Sequence, residues 1–372
     1  MMNRAYKFRI YPTKEQEVLL AKTFGCCRFI YNKMLDDKIR EYAETGKMKR
    51  TTPAMYKTAY PWLKEVDSLA LANVQLHLES AYQKFFREPK TGFPRFKSKH
   101  GSRQSYTTNM VNGNIRLLGN KLKLPKLEEV KIKVHREISD LYQLKSVSVS
   151  RESTGKYFAS LLYECVECES QADCIDAENA KILGIDYAMD GMAVFSDGTK
   201  CEYPKYYRTA EERLAMEQRR LSRCKKGSRN YEKQKRKVAL CHEKIRNQRK
   251  DYHHKLSHEI VKIYDVVSVE DLDMKTLSRC LHLGKGIMDN GYGSFRDMLS
   301  YKLQKEGKQL VKVGKFFPSS KKCSHCGNVK KELKLSERIY RCSCGSELDR
   351  DINAAINIRE EGRRILMAHV CA

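Results

Sequence analysis

Residues 181–187 read KILGIDY, and the reading of this run decides the fold. Ile182, Leu183 and Ile185 make it apolar over strand length, and it ends on a carboxylate, Asp186. The next two segments, GMAVFSDG (191–198) and TKCEYP (199–204), read as a second and a third strand, with Ser196, Asp197 and Gly198 turning between them. The same pattern returns at 265–272, DVVSVEDL, an apolar strand ending on Glu270. A helix is expected near 292–306, then a strand in QLVKVGKFF (309–317). The chain next reaches DRDINAAINI (349–358), where Asp349 and Asp351 open the last helix.

The order is strand-Asp, two strands, helices, strand-Glu, helix, strand, Asp-helix. This is the element order of an RNase H-like fold, in which the central strands and the last helix bring three carboxylates together. Such carboxylates repel one another unless a cation sits between them. Two Mg²⁺ ions ~3.5–4 Å apart would activate a water and stabilise the leaving oxygen of a phosphodiester. Any one of these acids alone reads more simply as a surface charge or turn residue. The trio in this order favours catalysis. Asp190, Asp197, Asp271 and Asp273 are acidic neighbours. The two-residue period of a strand predicts that Asp271 points away if Glu270 points in.

Charge and composition narrow the partner. The chain has 372 residues, 72 Lys and Arg against 46 Asp and Glu, and a net charge of +26, which favours a polyanion. Hydrophobic residues at 41% are enough for a real core and exclude a wholly disordered chain. No apolar run approaches the ~18 residues of a membrane span. The N-terminus, MMNRAYKFRIYPTKEQ, has no apolar stretch of signal-peptide length, so a cytoplasmic, nucleoid-associated protein is expected. Long helices are expected over 206–262, interrupted by KKGSRN (225–230). Residues 203–258 carry 18 Lys and Arg against 6 Asp and Glu. Val238, Ile245, Tyr252, Leu256 and Ile260 give an inward stripe, leaving a basic face with Lys225, Lys226 and Arg229 for phosphates.

Fourteen cysteines in a reducing compartment point to metal or to burial. Cys323-Ser-His-Cys326 and Cys342-Ser-Cys344 are separated by 15 residues, and Gly327 and Gly345 follow the pairs. Four thiolates on two knuckles can surround one structural Zn²⁺, leaving no open position for water. The second pair is one residue short of C-x-x-C, so His325 stands as a substitute ligand. Loss of that metal is expected to disturb the helix carrying Asp351 and to spare the strands carrying Asp186 and Glu270. Cys165, Cys168 and Cys174 lack a second knuckle and read as structural or incidental.

The N-terminal half reads as a strand, AYKFRIYP (5–12), then a helix started by a Thr13/Gln16 capping box. A second helix is expected from about Asp67 to Arg87, then a basic loop, PKTGFPRFKSKHGS (89–102). Strands follow from about 105 to 165, with a hairpin joined by RESTGK (151–156), then an acidic linker, CESQADCIDAENA (168–180).

At YKFRIYPTKEQ, GFPRFKSK, GIDYAMDGMAVFSDG, VEDLDMK, FFPSSKKCSHCG and DRDINAAINI the chain resembles the TnpB family, transposon-encoded RNA-guided nucleases similar to the compact type V CRISPR effectors. The matching segments run from about Tyr6 to Ile358. The resemblance implies an α+β multidomain protein. Residues 1–12 and 101–175 would form a wedge β-barrel, and 13–100 an inserted helical recognition domain. Residues 176–320 and 347–372 would form a RuvC-like nuclease domain with a basic helical insertion at about 203–262, and 321–346 a zinc-binding domain. The family's metal-binding triad falls on Asp186, Glu270 and Asp351, because the second Asp of D-R-D-x-N is the ligand. Its zinc ligands fall on Cys323, Cys326, Cys342 and Cys344. A guide RNA from the transposon end would read double-stranded DNA by base pairing, while the protein reads a short flanking motif and the backbone. Arg95, Lys97 and Lys99 then become phosphate-contact candidates. The expected function is Mg²⁺-dependent, RNA-guided DNA cleavage. The alternatives are a nuclease-inactive repressor and an RNA-independent transposase.

Overall fold

Strand β1 (Met2–Tyr11) alternates large apolar and basic residues, with Phe8 and Ile10 buried in the core and Tyr6 packed against it. The computed structural model describes residues 2–48, 50–99, 103–165, 176, 178–189, 191–280, 284–334 and 336–370. Its contacts divide the chain into two units, Met1–Glu167 and Cys168–Ala372. The expected linker at 168–180 lies outside the described residues except for 176 and 178–180, and Cys168, Cys174 and Asp190 lie outside them too.

In the first unit, helix α1 (Lys14–Thr45) starts at the capping box: Gln16 N donates to Thr13 Oγ1 at 3.3 Å, and Thr13 N to Gln16 Oε1 at 3.0 Å. Helix α2 (Ser68–Arg87) is capped by Asp67, which accepts from Leu69 N at 2.9 Å. Strands β2 (Gln104–Asn109), β3 (Arg116–Leu118), β4 (Lys121–Leu124), β5 (Glu128–Lys133), β6 (Gln143–Arg151) and β7 (Tyr157–Cys165) join β1 in one antiparallel sheet. Its order is β2-β6-β7-β1-β5-β4-β3. The edges are β2 and β3, and no pairing between them closes a barrel among the described residues. Leu20, Ile30, Leu71 and Leu78 of the helices share one core with Phe8, Ile10, Val147 and Leu161 of the strands.

The second unit is built on a mixed sheet of order β11-β10-β8-β9. Strands β8 (Ile182–Ala188), β10 (Val266–Glu270) and β11 (Gln309–Val313) are parallel neighbours, and β9 (Met192–Phe195) runs antiparallel to β8. Residues 182–185 and 266–269 are buried throughout, as befits strands covered on both faces. Helices α3 (Tyr206–Ser222), α4 (Arg229–Ile263), α5 (Met274–Cys280), α6 (Gly284–Asn290) and α7 (Tyr292–Lys305) lie between β9 and β11 in sequence. Ile260, Val261, Phe295, Leu299 and Leu303 of α4 and α7 pack with Leu183, Ile185, Val267 and Val269. A short hairpin, β12 (Ile339–Arg341) and β13 (Glu347–Asp349), precedes α8 (Arg350–Val370).

Helix α8 covers the other sheet face, with Leu366 against Ile182, Val266 and Val311. Two glycines permit its close approach. A Cβ at Gly184 would overlap the carbonyl oxygen of Ala355, and one at Gly362 would overlap the Ser268 hydroxyl. The expected third strand is reduced to one bridge, Val194 to Lys200, because Pro204 ends so short a run. Strand β11 stops at Val313, and Phe317 N turns back to Gly314 O at 3.0 Å. Among the described residues no helix is long and apolar enough to cross a membrane.

Candidate active site and cysteine centre

The parallel register pairs Ile185 with Val269, so Asp186 and Glu270 stand side by side at the carboxyl ends of β8 and β10. Asp351 lies in the first turn of α8, the helix packed on those strands. Burial pushes the Asp186 carboxyl well above the usual carboxylate range, and Glu270 and then Asp351 push it further, with Arg350 in part offsetting them. Asp186 therefore feels two acids from two other elements. Glu270 Oε1 accepts from Ser319 Oγ at 2.7 Å, and Arg350 Nε lies 3.4 Å from Asp351 Oδ1. Tyr292, 1% exposed, packs on Tyr187 at 4.8 Å between ring centres. Its hydroxyl is raised by burial, then by Asp186 and Glu270. Such a set suits hard divalent cations, because a cation relieves the repulsion that burial intensifies.

The neighbouring acids have other partners. Asp349 pairs with Lys200 at 2.6 Å and caps α8, accepting from Asp351 N at 2.9 Å and Ile352 N at 3.3 Å. Asp271 is exposed and lies 3.9 Å from Arg296 and 3.7 Å from Lys312. Asp197 closes its turn by accepting from Thr199 N and Tyr264 Oη. Asp273 accepts from Thr276 N and Oγ1 at the start of α5.

Cys323, Cys326, Cys342 and Cys344 converge, with all four sulfurs within 4.8 Å of one another, and can hold a metal ion. Cys323 and Cys344 are 3.8 Å apart and Cys326 and Cys342 3.6 Å. Bonds of ~2.3 Å in a tetrahedron require edges of about 3.8 Å, so the spacing fits zinc. The missing residue of the second pair is absorbed in its turn. Gly327 N closes on Cys323 O, four residues back, at 3.0 Å, whereas Gly345 N closes on Cys342 O, three back, at 3.1 Å. Both glycines need positive φ, +79° and +86°. The amide of Cys344 is the main cause holding the Cys342 thiol down to about 6. His325 is exposed and outside the cluster.

The basic candidates divide. Arg95, Lys99, Lys225, Lys226 and Arg229 are exposed. Lys97 instead turns inward, its ammonium 3.8 Å from the centre of the Tyr31 ring and its pKa lowered by burial. Asn32 holds its backbone through Lys97 N to Asn32 Oδ1 at 2.8 Å and Asn32 Nδ2 to Lys97 O at 2.9 Å. Lys97 thereby lines a cavity of ≈ 350 Å³ with Arg28, His77 and Arg103. Sequence reasoning missed Ser319 and Tyr292. Ser319 sits in a loop with no periodic pattern, and Tyr292 looked like any helical core residue.

Comparison with known sequences identifies relatives of this chain. The IS605 OrfB family, described as "Probable transposase", matches residues 165–281, and a "Cas12f1-like, TNB domain" matches 292–358. A "putative RNA-guided DNA endonuclease" of Streptomyces pristinaespiralis is 36% identical over 382 residues, covering 100% of this chain and 91% of that one. The chain belongs to the TnpB (IS605 OrfB) family. A second TnpB-family relative, the "putative RNA-guided DNA endonuclease InsQ" of Escherichia coli, is 31% identical and covers 98% of this chain and 93% of its own. The fold is that of Cas12f1, solved as a complex with sgRNA and target DNA: the TM-score is 0.61 at 14% identity, over 96% of this chain and 98% of that one. A family described as "Helix-turn-helix domain" matches residues 1–47, which here form β1 and the single helix α1.

Proposed function

We propose that this TnpB-family chain is an RNA-guided, Mg²⁺-dependent DNA endonuclease, with Asp186, Glu270 and Asp351 as its metal ligands. The observation that carries the reading is the register that sets Asp186 beside Glu270 at the ends of β8 and β10, with Asp351 opening the helix packed on those strands. Two Mg²⁺ ions bound there supply Lewis acidity to a scissile phosphodiester and its attacking water. The residues' own part is to hold the cations and keep the site rigid. Arg350 beside Asp351 and Ser319 beside Glu270 fix two carboxylates, and Tyr292 walls the site on the protein side. The relatives' names support the partners, a guide RNA from the transposon end and double-stranded target DNA, and so does the net charge of +26. All three acids are present, which weighs against an inactive repressor.

In the same reading the first unit's sheet is the wedge and α1 and α2 its helical recognition part. The sheet of β8 to β11 with α8 is the RuvC-like nuclease, and the four cysteines hold one structural zinc. Association with the nucleoid follows from binding DNA. The test is to purify the protein, sequence the RNA that copurifies, and ask whether DNA matched to it is cut in Mg²⁺. Absence of bound RNA with metal-dependent strand transfer would favour an RNA-independent transposase.

A further inference from the structure

Two amides of α8 reach into the segment that leads to the cysteine knuckle. Asn353 and Asn357 are four residues apart, hence on one helix face, and are 1% and 3% exposed. Asn353 Oδ1 accepts from Ser324 N at 2.9 Å, and its Nδ2 donates to Lys322 O at 2.8 Å. Asn357 Nδ2 donates to Lys322 O at 2.7 Å and to Ser319 O at 2.8 Å. Residues 319–324 are thus clamped to the helix that carries Asp351. At one end of the clamp is Cys323. At the other is Ser319, buried, whose hydroxyl donates to Glu270 Oε1 at 2.7 Å. Buried amides satisfied in this way rigidify what they hold.

We propose that Ser319 is a positioning residue for Glu270: its hydroxyl fixes one carboxylate oxygen, leaves the other for a cation, and is itself set by the Asn353–Asn357 clamp beside the cysteine knuckle. This rests on reading the three acids as a metal site. In this proposal the damage from losing the knuckle would extend past Asp351 to Glu270, because the clamp reaches both.

The test is Mn²⁺ binding to the full zinc-loaded chain, followed by the spectrum of free Mn²⁺. Ser319→Ala is expected to weaken Mn²⁺ about tenfold, the ratio carried by one hydrogen bond to a charged group. Zinc content should be unchanged. Ser319→Thr and Ser319→Val have the same shape as each other, and only Thr keeps the hydroxyl. Thr should bind Mn²⁺ within about twofold of the parent, and Val should behave like Ala; this pair decides the matter even if Ala lowers the melting temperature. Asn357→Ala should weaken Mn²⁺ with zinc retained. Equal Mn²⁺ affinity in the Thr and Val proteins overturns the proposal, whether or not the chain cuts DNA. Thr binding tightly and Val weakly in a chain that cuts no DNA would uphold it and refute the nuclease.

Discussion

Asp351 donates its backbone N–H to Oδ1 of Asp349 at 2.9 Å, so the two acids of the DRD run stand at opposite ends of one hydrogen bond. Asp349 serves as the helix cap and is paired with Lys200, whereas the carboxylate of Asp351 is left to Arg350 and the field of Asp186. The division predicts different mutant phenotypes. Asp186→Ala, Glu270→Ala and Asp351→Ala should each remove cleavage and leave RNA and DNA binding close to that of the parent. Asp349→Ala should still cut but lose about 1 kcal/mol of cap, a few degrees in melting temperature. A dead Asp349→Ala beside an active Asp351→Ala would reverse the assignment.

Acid sensitivity should be traceable to His253. It is 1% exposed, its Nε2 lies 2.8 Å from Asn290 O, and burial pushes its pKa down to about 4. The unfolded imidazole titrates near ~6.5. The neutral ring therefore contributes fully above about 6.5, and the contribution is lost as pH falls toward 4, by at most about 3 kcal/mol. Thermal melts from pH 7.5 to 4.5 should fall more steeply for the parent than for His253→Gln, which starts lower. Parallel curves would show that another group sets the acid limit.

Binding to nucleic acid should be strongly salt-dependent, losing orders of magnitude between ~50 and ~200 mM if roughly six or more phosphates are contacted. Replacing Lys225, Lys226 and Arg229 with Ala should weaken binding to all sequences alike and lower the salt slope by about 3. Lys97→Ala should change the slope less than Arg95→Ala, because its ammonium lies over Tyr31. An unchanged slope in the triple variant would remove those residues from the interface.

Metal analysis should give about one zinc per chain, and Cys323→Ser or Cys344→Ser should lose it. Cleavage should fall with it, through Asp351 and, by way of Ser319, through Glu270. Full zinc retention in Cys344→Ser would bring His325 into the ligand set.

Local order was legible without a structure. The Thr13–Gln16 box, the helix starting near Asp67, the α3–α4 break and the apolar strands ending on Asp186 and Glu270 depend on neighbours a few residues apart, and a linear pattern records those. The cysteine pairs were legible for the same reason. What a linear pattern does not carry is which side chains meet across long stretches of chain. The antiparallel pairing of the first sheet, with its two edges, depends on such meetings. So does the turning of Lys97 onto Tyr31, 66 residues away in number, where a basic loop alone suggested a solvated cation. The hydroxyl of Ser319 meets Glu270 only because two asparagines of α8 hold the intervening loop, and α8 lies close enough only because Gly184 and Gly362 lack side chains. The sequence by itself determined the elements and the chemistry available at their ends. Tertiary packing decided which of the acids share a field and which are neutralised by partners, because burial and proximity, not residue type, set the energy of a charge.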